Sequence, residues 1–173
     1  MGSINYLGYT NEEDVGTKIL LSDGAGAVLI GKTSKNKIYK TYIESDATNS
    51  EILTCKTDSK IEMNGIEIYK YAVTETVKNV KELLKRSNIS LEDIKYIIPH
   101  QSNMKIIKSI ATKLKIDNSK IYTNISYVGN TFCASIPIAL NELKNKELLN
   151  SGDKIILLGY GGGLNTGSIL LEI

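Results

Sequence analysis

Between Glu67 and Arg86, the residues Tyr69, Ala72, Val73, Thr76, Val77, Val80, Leu83 and Leu84 recur at helical spacing. A helix of this length with one apolar face needs another layer to cover it. Short apolar runs supply that layer. Ile94 to Pro99 and Lys154 to Leu158 read as buried strands, and Thr166 to Ile173 as a final strand. Lys37 to Ser45 alternates around Ile38, Tyr39 and Ile43 and suggests another. Helical spacing returns in Ile106, Ile107, Ile110, Ala111 and Leu114. A further helix is expected to open at Gly129-Asn130-Thr131 and run through Leu149, with Ile136, Ala139, Leu140 and Leu143 inward. Pro137 falls early in it, where a missing N–H costs least. Strands alternating with helices, with hairpins at both ends, give an α/β layered sheet.

The remaining segments read more weakly. In residues 17–31, two apolar runs flank Asp23-Gly24-Ala25-Gly26, which suggests strand, tight glycine turn, strand. Residues 46–64 are polar and irregular, a long loop. Ser90 to Asp93 has the pattern of a capping box. Ile121 to Ile125 is a weak strand. Strand, glycine-rich turn and strand occur near 19–30 and again near 155–171, a faint echo that hints at a duplicated architecture.

Composition excludes several classes. Among 173 residues, Lys+Arg total 21 and Asp+Glu 19, a net charge of +2. That is too balanced for nucleic-acid binding by charge alone. No apolar run reaches the roughly 18 residues of a membrane span. The N-terminus, Met-Gly-Ser-Ile-Asn-Tyr, has no basic region and no apolar core, so it is not a signal peptide. With one His and two Cys, neither in a CxxC pair, there is no zinc set. Reduced thiols in a cytoplasm fit best. Arg86 is the single arginine. Phosphate recognition would therefore use Lys, backbone N–H groups or a partner.

Chemistry is expected at one edge of the sheet. His100, the single histidine, stands just past a buried strand and just before a helix, with Ser102 or Asn103 as that helix's N-cap. Ligands of open α/β sheets bind at that edge. Asn130 has two readings. It is an N-cap, or it is an amide donor beside His100, where two neutral donors stabilise an oxyanion or enolate. Gly159-Tyr160-Gly161-Gly162-Gly163 is neither a Walker loop nor a dinucleotide fingerprint. It is either a tight crossover or a backbone surface that lets N–H groups meet a ligand oxygen. Cys133 lies near a helix N-terminus but has no adjacent base in sequence; Cys55 lies in a polar loop.

Five motifs occur in order: Ser22-Asp-Gly-Ala-Gly-Ala27, Met63-Asn-Gly-Ile-Glu-Ile-Tyr69, Pro99-His-Gln-Ser-Asn103, Gly129-Asn-Thr-Phe-Cys-Ala-Ser135 and Gly159-Tyr-Gly-Gly-Gly-Leu164. The set resembles β-ketoacyl-acyl-carrier-protein synthase III, the initiating condensing enzyme of type II fatty acid synthesis. The resemblance implies a thiolase-like fold, two duplicated α/β halves in an αβαβα sandwich. This chain would hold approximately the C-terminal half, residues 36–173, preceded by the last hairpin of the N-terminal half in 1–35. It also implies the site. The family's catalytic His matches His100 and its Asn matches Asn130, while its Cys nucleophile belongs to the other half and matches no residue here. The N–H of Gly162 matches half of the oxyanion hole. Asn103 matches a position near the pantetheine arm, and Gly65 and Tyr69 match positions along the substrate tunnel. Lys105 stands where the family usually has an Arg that touches the acidic carrier protein. Phe132 and Cys133 replace the usual small pair after Gly-Asn-Thr. Asn165-Thr166 replaces a typical Thr-Trp, and Ser22 a common Gly.

The function implied by the resemblance is that of an acyltransferase of fatty acid biosynthesis, with no cofactor and no metal. Its substrates would be an acyl-CoA and a phosphopantetheine carrier. The partners would be acyl carrier protein and the other half or a second copy, giving a homodimer. The chain alone would be inactive. The alternatives are a non-catalytic binding or assembly module and a polyketide-type ketosynthase half; retention of both His100 and Asn130 favours the enzyme.

Overall fold

The computed structural model describes residues 2–4, 15, 19–31, 37–56 and 60–173. In chain order the strands and helices begin with β1 (Gly2–Ile4), β2 (Gly24–Gly26) and β3 (Tyr39–Ser45). The short β4 (Leu53–Thr54) and β5 (Glu62–Met63) precede α1 (Gly65–Ser87) and β6 (Ile94–Pro99). Helices α2 (Met104–Leu114), α3 (Ile125–Val128) and α4 (Ser135–Asn145) come next, and β7 (Lys154–Gly161) and β8 (Asn165–Glu172) end the chain.

The main sheet has the order β3-β8-β7-β6, with β6 parallel to β7 and the other pairs antiparallel. Its two faces separate by the two-residue period of strands. Ile97, Ile156, Leu158 and Leu170 join Ala72, Val80, Leu83, Ile107 and Ile110 of α1 and α2 in one core. Their sequence neighbours Ile98 and Ile155 turn the other way and pack with Ala139 and Leu143 of α4. The sheet is thus covered on both sides, as parallel pairing requires. A missing half would be expected to leave bare the α4 face carrying Ile136, Ala139, Leu140 and Leu143; instead Ala139 and Leu143 are fully buried with Ile98 and Ile155 of β6 and β7, and Ile136 and Leu140 are half-buried beside them. Exposed apolar side chains lie elsewhere, among them Ile19, the run Val28, Leu29 and Ile30, Ile43, Ile66 and Tyr127.

The long helix is capped at both ends. Asn64 Oδ1 accepts from the Glu67 N–H, and Asn88 closes the helix in the left-handed conformation. The Ser90–Asp93 capping box forms around one 3₁₀ turn. Five expectations change. Gly24–Gly26 is a strand paired with Gly2–Ile4, not a turn. Its glycines answer packing: a Cβ on Gly24 would lie 2.6 Å from Thr131 Cγ2, and one on Gly26 2.5 Å from Pro137 Cβ. With no turn there, the echo between 19–30 and 155–171 is not seen among the described residues. The expected loop of 46–64 contains a 3₁₀ turn at Ser50–Ile52 and the β4–β5 pair. Ile121 keeps only an isolated bridge to Ile97, and Ile125 already opens α3. The helix expected to open at Gly129 begins at Ser135, after a 3₁₀ turn at Phe132–Ala134, and ends at Asn145. At the turn Asn130 Oδ1 accepts from the Phe132 N–H, a local side-chain bond that competes with helix, and Thr131 O accepts from the Ala134 N–H.

Candidate functional site

The carboxyl end of β6 is the pivot. His100 leaves the sheet with one last ladder bond, its N–H donating to Leu158 O at 2.7 Å. Gln101 then turns inward and is fully buried. Its Nε2 donates to Pro99 O at 2.7 Å and Tyr122 O at 3.3 Å, and its Oε1 accepts from Asn124 N–H at 3.0 Å. A buried amide engaged on both its oxygen and its nitrogen fixes the turn that carries His100. Of the two cap candidates, Asn103 takes the position: its Oδ1 accepts from Lys105 N–H at 2.8 Å.

Asn130 is placed from another part of the chain. Ser22 N–H donates to Asn130 O at 2.8 Å, and Leu21 forms a parallel bridge with Asn130. The preceding Gly129 has φ of +79°, and a Cβ there would lie 2.7 Å from Ser22 Cβ. Both conditions call for glycine. Asn130 Oδ1 accepts from Phe132 N–H at 3.0 Å. That bond settles the orientation of the amide, because only the oxygen can accept, and it leaves Nδ2 as the available donor. Asn130 therefore holds the first N–H of the 3₁₀ turn from one residue before the cap position, which Thr131 occupies, and its Nδ2 is left as a donor.

His100 and Asn130 line one cavity of about 570 Å³, within the usual range of small-ligand sites. Gly162, Gly65 and Asn103 line it too. Gly162 sits at the β7–β8 turn, where its carbonyl accepts from Asn165 Nδ2 at 2.6 Å. Tyr69 and Lys105 do not line it. The Tyr69 hydroxyl bonds Ser109 Oγ at 2.8 Å and ties α1 to α2. Lys105 is exposed in the first turn of α2, between the cavity-lining Asn103 and Ile106. Both cysteines are exposed and reach the cavity wall, Cys55 as well as Cys133.

The imidazole is held on two sides. His100 Nδ1 lies 2.7 Å from Ser135 Oγ. Its ring meets Tyr160 edge to face, with centroids 5.6 Å apart. Desolvation lowers its pKa to about 4, so the ring is neutral at pH 7. Burial pushes the Tyr160 phenol up to about 12, and its hydroxyl bonds Ser102 Oγ. Sequence reasoning missed these contacts: it takes Ser102 as a cap candidate only and gives Ser135 and Tyr160 no role of their own. The available signal for Ser135 was a small hydroxyl between Ala134 and Ile136, where packing alone asks for an apolar residue. Among the described residues no group of three or more His, Cys, Asp or Glu could hold a metal ion. No helix among them is long and apolar enough to cross a membrane.

Residues 84–173, just over half of the chain, match the family described as 3-oxoacyl-[acyl-carrier-protein (ACP)] synthase III C terminal. The chain belongs to this family. Among curated relatives of this synthase III family, the beta-ketoacyl-[acyl-carrier-protein] synthase III of Clostridium beijerinckii is 46% identical over 177 residues, covering 94% of this chain and 55% of the relative. That of Clostridium tetani is 41% identical over 182 residues, covering 92% and 54%. The solved structure of 3-oxoacyl-[acyl-carrier-protein] synthase III from Aquifex aeolicus superposes with a TM-score of 0.89 at 36% identity, over 92% of this chain and 52% of that one. The chain thus spans about half the length of the synthase III relatives it matches. The fold is the thiolase-like α/β fold expected from the motifs.

Proposed function

We propose that the chain is the C-terminal half of a 3-oxoacyl-[acyl-carrier-protein] synthase III and supplies the two donors for decarboxylative condensation. The observation that carries this reading is the convergence of His100 and Asn130 on one cavity. His100 Nε2 and Asn130 Nδ2 have no protein partner among the described residues, and neither atom is sealed from the cavity. Both are neutral groups. A malonyl thioester whose carbonyl oxygen accepts from both would lose its carboxyl group as CO₂. The electron pair of the broken C–C bond passes into an enolate, whose oxygen charge the two donors stabilise. The enolate carbon then attacks an acyl-cysteine thioester, and the cysteine leaves as thiolate. That nucleophile is assigned to the complementary half. Gly162 N–H serves as one oxyanion donor for the acyl group, and Asn103 and Gly65 flank the pantetheine arm.

Acyl carrier protein is the proposed partner, bound at the cavity rim by Lys105. The chemistry uses no metal or organic cofactor. A complementary half, or a second copy of the chain, would cover Val28, Leu29 and Ile30.

The test uses the chain assembled with a complementary half carrying the nucleophile. Release of CO₂ from malonyl carrier protein should fall about 10²–10³-fold in His100→Ala and in Asn130→Ala, the typical loss of one such donor. Unchanged release in both variants would overturn the reading. Cys133 competes as a nucleophile because it shares the cavity with His100. The chain alone should show no condensation; turnover by the chain alone that Cys133→Ser abolishes would assign the nucleophile here.

A further inference from the structure

His100 meets Ser135 across 35 positions of sequence, and the bond between them has a direction. Ser135 Oγ also accepts from the Gln101 backbone N–H at 3.2 Å. Ser135 is 1% exposed, so water does not complete the bonding of its hydroxyl. A hydroxyl carries one proton and two lone pairs. If the ring donated from Nδ1, both lone pairs would be used on N–H groups. The Ser135 proton would then have no acceptor, because no other bond from this hydroxyl exists among the described residues. Leaving a buried donor unmade is costly, whereas donating to Nδ1 satisfies every group. The Gln101 N–H is itself fixed, since that residue's side chain is stapled to Pro99, Tyr122 and Asn124.

We infer that Ser135 is a positioning residue whose hydroxyl donates to His100 Nδ1 and confines the single N–H of the neutral ring to Nε2. The consequence rests on the proposed function: Nε2–H is the atom that faces the cavity and would donate to a thioester oxygen. The other tautomer would present a lone pair there and repel the enolate. Which ring nitrogen carries the proton is set by the bond the other one makes, and here that bond comes from the first turn of α4. The 3₁₀ turn after Asn130 holds its amide through the Phe132 N–H, and the helix that comes next holds the His100 ring through Ser135. Ser135 lies outside the cavity lining and touches no substrate.

The chain has one histidine, so its two ring nitrogens can be read without assignment. The test is a long-range ¹H–¹⁵N spectrum of the ¹⁵N-labelled chain at pH 7. Nδ1 should resonate as an unprotonated, pyridine-like nitrogen and Nε2 as a pyrrole-like one. In Ser135→Ala both nitrogens should shift toward the averaged positions of a mixed-tautomer ring. Ser135→Thr, which keeps the hydroxyl, should restore the wild-type shifts. A pyrrole-like Nδ1 in the wild type, or wild-type shifts in Ser135→Ala, would overturn the inference. If Ser135→Ala fails to fold, the wild type and Ser135→Thr decide, and a protonated Nδ1 in either one overturns it. The readout involves no condensation, so loss of the proposed activity would leave these nitrogen shifts unchanged.

Discussion

The neutral imidazole makes stability depend on pH with a fixed sign. Burial holds His100 at about 4 in the fold, against 6.5 for the free side chain. Between those values the unfolded chain binds a proton that the folded chain does not. Stability therefore falls as pH drops below about 7 and levels off under the folded pKa. Linkage gives a loss of about 2 kcal/mol from this one group by pH 5, rising toward about 3 kcal/mol below pH 4. His100 lines the cavity and is not fully buried, which makes these figures upper values. Carboxylates titrate in the same range, so the comparison is with His100→Gln, which cannot titrate. Urea unfolding of both proteins at pH 7.5, 6 and 5 isolates the difference. The wild type should lose about 2 kcal/mol more than the variant between pH 7.5 and 5. Equal losses, or an imidazole seen by NMR to titrate near 6.5, would refute the claim that desolvation governs this ring.

The geometry carries three further outcomes. Gly129→Ala combines a left-handed φ with a Cβ 2.7 Å from Ser22. It should cost about 1–3 kcal/mol in urea unfolding; a loss under about 0.5 kcal/mol would show that the segment relaxes freely. Lys105→Glu in the assembled enzyme should raise the KM for malonyl carrier protein about two- to fivefold at low salt, and less at high salt. An exposed charge pair is worth only about 0.2–1 kcal/mol; an unchanged KM at low salt removes Lys105 from docking. With Leu29 fully exposed beside Val28 and Ile30, the chain alone should sediment as a dimer or larger species at micromolar concentration. A monomer would show that these side chains need no cover.

Much of the scaffold is written locally. The helical face of α1 and the buried run of β6 are periodic within a few residues, and period alone separates helix from strand. The Ser90–Asp93 box and the Asn103 cap are likewise bonds between near neighbours. The motifs around His100 and Asn130 carried the family resemblance, because each is a short run of near neighbours that can be read along the chain. Other features needed the folded molecule. Gly24 and Gly26 looked like a turn, since glycine's freedom suggests one. Only the approach of Thr131 and Pro137 shows that they answer a lack of space. The cavity wall from Leu53 and Met63 came from a stretch that its polarity marked as loop. Ser135 gains its role from a residue 35 positions away. Spacing along the chain is enough to say which segments are helix or strand and which side chains carry chemistry, because both are properties of near neighbours. Which nitrogen faces the cavity, and which glycines are irreplaceable, depends on distances between segments that packing alone brings together.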